Sequence, residues 1–203
     1  MRIAILSDIH GNRTAFEAVL ADLQQTSPDL ILHGGDLADA GASPVEIVDR
    51  IRDLGWKGVV GNTDEMLFRP ESLEEFASQS SAPLSLWTAI RQMAAATRAL
   101  LELESVYRPL NQPIAVYAHI HRPYIRSVPS PQVRQRLVAN TGSVSLSYDG
   151  NRRASYLLLD GRNPTIRRVD YDVEKELKAL SSCGLPHADW IAKSLHTGSF
   201  QMP

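Results

Sequence analysis

Residues 2–7, RIAILS, break off into Asp8-Ile9-His10-Gly11, and this switch from a short apolar run to a polar turn decides the fold. An apolar run of that length ended by a breaker reads as a buried strand entering a loop. Residues 13–25 then place Phe16, Val19, Leu20 and Leu23 at the spacing of an amphipathic helix, and Pro28 stops it. Leu30-Ile31-Leu32 is a second strand, closed by Gly34-Gly35-Asp36. Ser43-Pro44 supplies an N-cap and a first-position proline for a helix carrying Val45, Val48, Ile51 and Leu54 on one face. Gly58-Val59-Val60 is a third strand, closed by Gly61-Asn62. Strand, loop and helix repeated in this way predict an α/β fold, with functional residues in the crevice beyond the carboxyl ends of the strands.

The second half changes character. Residues 71–104 read as helical, with Leu86, Ile90, Met93, Ala94, Thr97 and Leu101 at helical spacing. Segments 114–118, 124–128, 136–139, 143–148, 154–159 and 165–171 are short, β-branched or aromatic, and separated by turn residues, so they read as consecutive strands. Asp149-Gly150-Asn151 is a hairpin signal. A helix over 172–181, with Leu177 and Leu180 inward, begins a C-terminal extension, 172–203, that is expected to pack on the surface of a single domain spanning 1–203.

At 203 residues, 43% hydrophobic and 22% charged, the chain is an ordinary globular protein with room for one real core. A formal net charge of -2 argues against a stable nucleic-acid partner, while leaving small phosphorylated substrates open. The lone Cys183 makes no internal disulfide and no thiolate metal site. The sequence shows neither a signal-like start nor a membrane-length apolar segment, so a cytoplasmic protein is expected.

Four clusters carry chemistry: Asp8-x-His10, Gly35-Asp36, Gly61-Asn62-x-Asp64 and His119-x-His121. Each lies at a strand end, and carboxylate, imidazole and amide oxygen together suit borderline divalent ions. An aspartate bridging two such ions holds them about 3.5–4 Å apart, the spacing of two-metal phosphoryl chemistry. Taken singly each motif is weak, since acidic and imidazole side chains often only cap a turn; it is the conjunction in this order that counts.

That order resembles the calcineurin-like metallophosphoesterases, and Asp8-Ile9-His10-Gly11-Asn12 with Asn140-Thr141-Gly142-Ser143 is most similar to their small bacterial and archaeal phosphodiesterases. The resemblance runs from Met1 to about Leu159. It implies an αββα two-sheet sandwich and a metal-dependent phosphoesterase hydrolysing a phosphodiester or small phosphomonoester by metal-activated hydroxide. It implies two divalent ions, manganese first, with iron, zinc, nickel or magnesium as alternatives, and a homodimer. Asp8, His10 and His121 would hold the first ion, Asp36 would bridge, and Asn62 and His119 would serve the second; Asp36, Asn62 and His119 are the expected catalytic residues.

Two departures weigh on this. Thr63 stands where many members carry a histidine, and no histidine lies between His33 and His119, where the family supplies a further ligand to the second ion. About one strand and loop is expected to be missing near 100–104, leaving the second site one ligand short. The rival reading is therefore a catalytically impaired member acting as a binding or scaffold module. Of the remaining polar residues, Asp64 divides evenly between bracing the Asn62 loop and touching substrate. Asp39 reads as a loop brace, Asn12 as a helix cap, Arg122 as a turn residue and His33 as a hydrogen-bonded core histidine. Trp56, Trp87 and Trp190 read as packing, and Arg152, Arg153, Arg162, Arg167 and Arg168 as a solvated sheet edge.

Overall fold

The computed structural model describes residues 1–98, 116–128 and 136–203. The expected missing strand and loop near 100–104, and the Leu101 end of the middle helix, lie outside the described residues. Strands β1 (Arg2–Leu6), β2 (Leu30–His33) and β3 (Lys57–Gly58) alternate with helices α1 (Arg13–Thr26) and α2 (Pro44–Asp53). Three helices follow, α3 (Asn62–Phe68), α4 (Pro70–Ser78) and α5 (Leu84–Arg98). Then come strands β4 (Val116–Tyr117), β5 (Tyr124–Val128), β6 (Arg136–Asn140), β7 (Ala154–Asp160) and β8 (Asn163–Val169), and helices α6 (Val173–Ser182) and α7 (Ala188–Thr197).

One sheet has the order β3-β2-β1-β7-β8, parallel from β3 to β1 and antiparallel from β1 to β8; the second has the order β4-β6-β5. The alternation of side chains along β1 organises the layers. Ile3 and Ile5 pack with Leu157 and with Ala139 of the second sheet, whereas Ala4 and Leu6 pack with Phe16, Val19, Ile47 and Ile51 from α1 and α2. The register Ile3↔Leu30 to Leu6↔His33 brings β1 and β2 to an end side by side, so the turns after them meet. Asn12 caps α1 as expected, its Oδ1 accepting from the Ala15 amide at 2.9 Å. Ser43 occupies the N-cap position of α2 without a side-chain cap bond, so Pro44 alone marks that start.

Several sequence expectations are corrected. Residues 143–148 are not a strand. Ser143 Oγ accepts from the Ser145 and Leu146 amides, and the Val144 and Ser145 amides donate to the Ser7 and Asp8 carbonyls. Alternating serines mimicked a strand pattern while their hydroxyls satisfied the backbone locally. Asp149-Gly150-Asn151 does not close a hairpin. The tight hairpin is β7–β8, turning at Gly161-Arg162 between the paired Asp160 and Asn163, and the Gly150 amide instead donates to Gly198 beyond α7. Val59 and Val60 lie beyond β3 and are exposed. The extension is not a surface appendage: Trp190, Ile191 and Leu195 of α7 are buried with Met93 and Leu146. Arg167 is more than a solvated edge residue, since it pairs with Asp22 at 2.6 Å beside the buried Tyr156. None of the described helices is long and apolar enough to cross a membrane.

Candidate metal centre

The loops after β1 and β2 are laced together by three backbone bonds: Asp8 N–H to Gly35 O, His10 N–H to Asp36 O and Gly11 N–H to Leu37 O. This extends the β1–β2 pairing beyond the strands and brings the Asp8-x-His10 and Asp36 motifs together. Gly35 and Gly61 allow it, because a Cβ at Gly35 would strike the Gly61 backbone and one at Gly61 would strike Asp36. Asp8, His10, Asp36, His119 and His121 all adopt positive φ, between 48° and 74°. Left-handed backbone costs a side-chain-bearing residue roughly 1–2 kcal/mol and persists only where the surroundings over-determine it. Five of the six candidate ligands share that conformation.

Asp8, His10 and His121 form one buried group, with a potential ligand atom of each lying within 4.8 Å of the others. His10 Nδ1 lies 2.9 Å from the Asp39 carbonyl and His121 Nδ1 lies 2.6 Å from the Leu146 carbonyl. A carbonyl only accepts, so each Nδ1 carries the proton and each neutral ring turns an unprotonated Nε2 inward. The two Nε2 atoms face one another at 3.3 Å, and Asp8 Oδ1 is 3.1 Å from His121 Nε2. Three lone-pair-bearing atoms converging in a buried space require a cation or a proton between them, so the donor set fits a divalent ion. Without one, the proton goes to His121: burial opposes its charge, but Asp8 and the Leu146 carbonyl outweigh that and raise its pKa. Burial, followed by the charge of His121, lowers His10. Burial also pushes the Asp8 carboxyl up, yet His121, His10 and the Ser7 hydroxyl together hold it below its ordinary value.

Asp36, Asn62 and His119 make a second, more open group. Asp36 Oδ1 accepts from the Thr63 amide at 2.9 Å and from its hydroxyl at 2.7 Å. The Asn62 amide lies 2.7 Å from His119 Nδ1, and in the orientation that satisfies both its ends its NH2 also reaches Asp36 Oδ2 at 3.3 Å. The His119 side chain is exposed, while its backbone N–H donates to the Asp8 carboxylate. Asp36 therefore leans on Thr63 and Asn62, lying beside the buried group rather than within it.

The bracing residues also resolve. Asp64 accepts from the Leu37 and Gly61 amides, so it holds the Asn62 loop. Asp39 accepts from Thr97 as well as supplying its carbonyl to His10. Arg122 donates to the Tyr148 carbonyl. His33 is buried as expected, but among the described residues neither ring nitrogen has a hydrogen-bond partner. Sequence reasoning missed Ser7, whose hydroxyl donates to Asp8 at 2.6 Å, and Tyr148, whose ring stacks on His121 at 4.6 Å. Ser7 directly precedes the first motif and was open to notice; the role of Tyr148 comes only from the folding-back of 143–148.

The description that matches the chain, over residues 1–163, is that of a calcineurin-like phosphoesterase superfamily domain. An uncharacterised protein of Methanocaldococcus jannaschii is 27% identical over 240 aligned residues, covering 97% of this chain and 98% of that protein. Since this chain has 203 residues, the relative carries internal positions without a counterpart here. A metallophosphoesterase from Sphaerobacter thermophilus superposes with a TM-score of 0.73 at 22% identity, covering 98% of this chain and 100% of that one. A hypothetical protein from Pyrococcus horikoshii superposes with a TM-score of 0.75 at 14% identity, covering 98% and 99%. The two-sheet αββα sandwich is thus the fold of this chain.

Proposed function

The chain belongs to the calcineurin-like phosphoesterase superfamily, and from that premise we propose that it is a metal-dependent phosphoesterase acting on a phosphodiester or small phosphomonoester. The observation that carries this reading is the convergence of His10 Nε2, His121 Nε2 and Asp8 Oδ1, with both Nδ1 atoms already engaged. Asp8, His10 and His121 would hold one divalent ion, with Asp36 beside it; Asp36, Asn62 and His119 would hold a second. Manganese is the first candidate, and such ions supply Lewis-acid activation of water and of the phosphoryl group.

The protein's own residues do the positioning. Asp39 and Leu146 carbonyls fix the tautomers of His10 and His121, so Nε2 of each ring is the atom left to act as a ligand, His121 giving up its Nε2 proton to do so. Ser7 orients the Asp8 carboxylate, and Thr63 fixes Asp36 through its amide and hydroxyl. His119 and Asn62, at the open side, are placed to meet substrate oxygen. A small phosphorylated substrate, a cytoplasmic setting and a homodimer complete the reading; the near-neutral charge supports the first, and resemblance supports the last.

The exposure of His119 and the absence of any histidine between His33 and His119 favour one alternative, a single-ion protein that binds without turnover. Metal content by mass spectrometry after manganese loading, together with hydrolysis of bis-p-nitrophenyl phosphate, separates the two. Manganese-dependent turnover supports the enzyme. One bound ion with no turnover sinks it.

A further inference from the structure

The cavity over the ligand set has two unlike sides. One is the polar cluster. The other is carbon: Trp87 and Met93 of α5, Trp190 and Ile191 of α7, and Phe200 beyond it, across a volume of about 270 Å³. No lysine or arginine lines this cavity among the described residues. Trp190, Ile191 and Phe200 lie beyond residue 163, outside the span of the family match.

Tyr148 joins the two sides. Its ring stacks on the His121 imidazole, with centroids 4.6 Å apart and planes 18° apart. Phe200 meets Tyr148 edge-on at 5.5 Å, and Trp190 meets Phe200 edge-on at 6.5 Å. An aromatic row therefore leads from a candidate ligand to a rim where Phe200 is 46% exposed. Packing explains why Trp87 and Trp190 are mostly buried, but not why this apolar arc faces an open volume.

A phosphate alone would engage the polar side and leave the part of the arc that faces the cavity, Phe200 above all, against water, which apolar surface disfavours. The volume is just below the roughly 300–1,000 Å³ typical of small-molecule sites, so it suits one ring system rather than a polymer. The described lining, which carries no lysine or arginine, offers nothing to a further string of phosphates.

We propose that the arc binds an apolar, ring-sized group esterified to the phosphate, so that the substrate class is phosphoesters of aromatic or bulky aliphatic alcohols. Tyr148, Trp190 and Phe200 determine that specificity. The inference rests on the phosphoesterase reading, and its test keeps the two apart.

Calorimetric titration of the manganese-loaded chain with benzylphosphonate and with methylphosphonate compares ligands that differ only in apolar bulk. Benzylphosphonate is expected to bind roughly tenfold or more tightly. Phe200→Ala, at the half-exposed rim, is expected to cut that ratio by roughly threefold, and Trp190→Ala further, with Trp190→Phe restoring most of it. Equal affinities, or a ratio untouched in Phe200→Ala and Trp190→Ala, overturn the inference. Turnover of bis-p-nitrophenyl phosphate is scored separately. Selective binding without turnover sinks the phosphoesterase reading and leaves the apolar preference standing; turnover with equal phosphonate affinities does the reverse.

Discussion

The two halves of the candidate centre are built on different principles. Asp8, His10 and His121 are buried, and each ring is locked by a backbone carbonyl from another loop. Asp36, Asn62 and His119 hold mainly one another and Thr63, with the His119 side chain exposed. The backbone strain is met by the fold in both halves, and Asp36 is buried and clamped by Thr63, but the exposed His119 side chain leaves part of the second half's ordering to the moment of binding. Preorganisation of this kind should make the buried half the tight site and the open half the exchangeable, substrate-facing one.

The severest way to break that comparison is Asp8→Ala. It leaves His121 without its partner in a buried site and should lower manganese affinity by about three orders of magnitude, read by calorimetry, with turnover lost alongside. Replacing His119 by Ala should separate the halves. Roughly 10–100-fold is expected to be lost from the weaker binding step, while the tighter one stays unchanged. If the tighter step weakens instead, the assignment of His119 to the open half is wrong.

Thr63→Val tests the clamp on Asp36. The amide donor remains and the hydroxyl is lost, so a loss of roughly tenfold in turnover is expected, with Thr63→Ser recovering most of it.

The last prediction concerns stability rather than activity, in the ground beneath the open half. His33 ends β2 three residues before Asp36, and burial lowers its pKa from 6.5 to about 4. A base whose folded pKa is depressed gives stability that is complete above its unfolded value and is lost as pH falls through the window from about 6.5 to about 4. The loss amounts to at most about 3 kcal/mol. Denaturant melts of His33→Leu between pH 7 and pH 4 should show a flatter acid limb than the native chain; an unchanged limb refutes the assignment.

How much of this was legible beforehand differs by residue. Phe16, Val19 and Leu23 declared α1 because a helix repeats its buried face locally, and Asn12 declared the cap because the bond to Ala15 spans three residues. The same local logic failed at Ser143–Tyr148, where alternation looked like a strand although Ser143 was satisfying its own neighbours' amides. His33 was assigned correctly to the interior, but its lack of a partner depends on what packs around it, which no spacing reveals.

The ligand set shows the same division. Residue type and order, Asp8-x-His10, Asp36, Asn62 and His119-x-His121, were enough to name candidate ligands, because metal chemistry demands particular atoms. Tertiary structure alone decided that Asp8, His10 and His121 converge while Asp36 turns to Thr63. It alone made the residues beyond 163 a wall of the cavity. Ligand identity is a property of side chains and can be read in one dimension. Which atoms share a space depends on left-handed turns, crossing backbone bonds and contacts more than a hundred residues apart, and these exist only once the chain has folded.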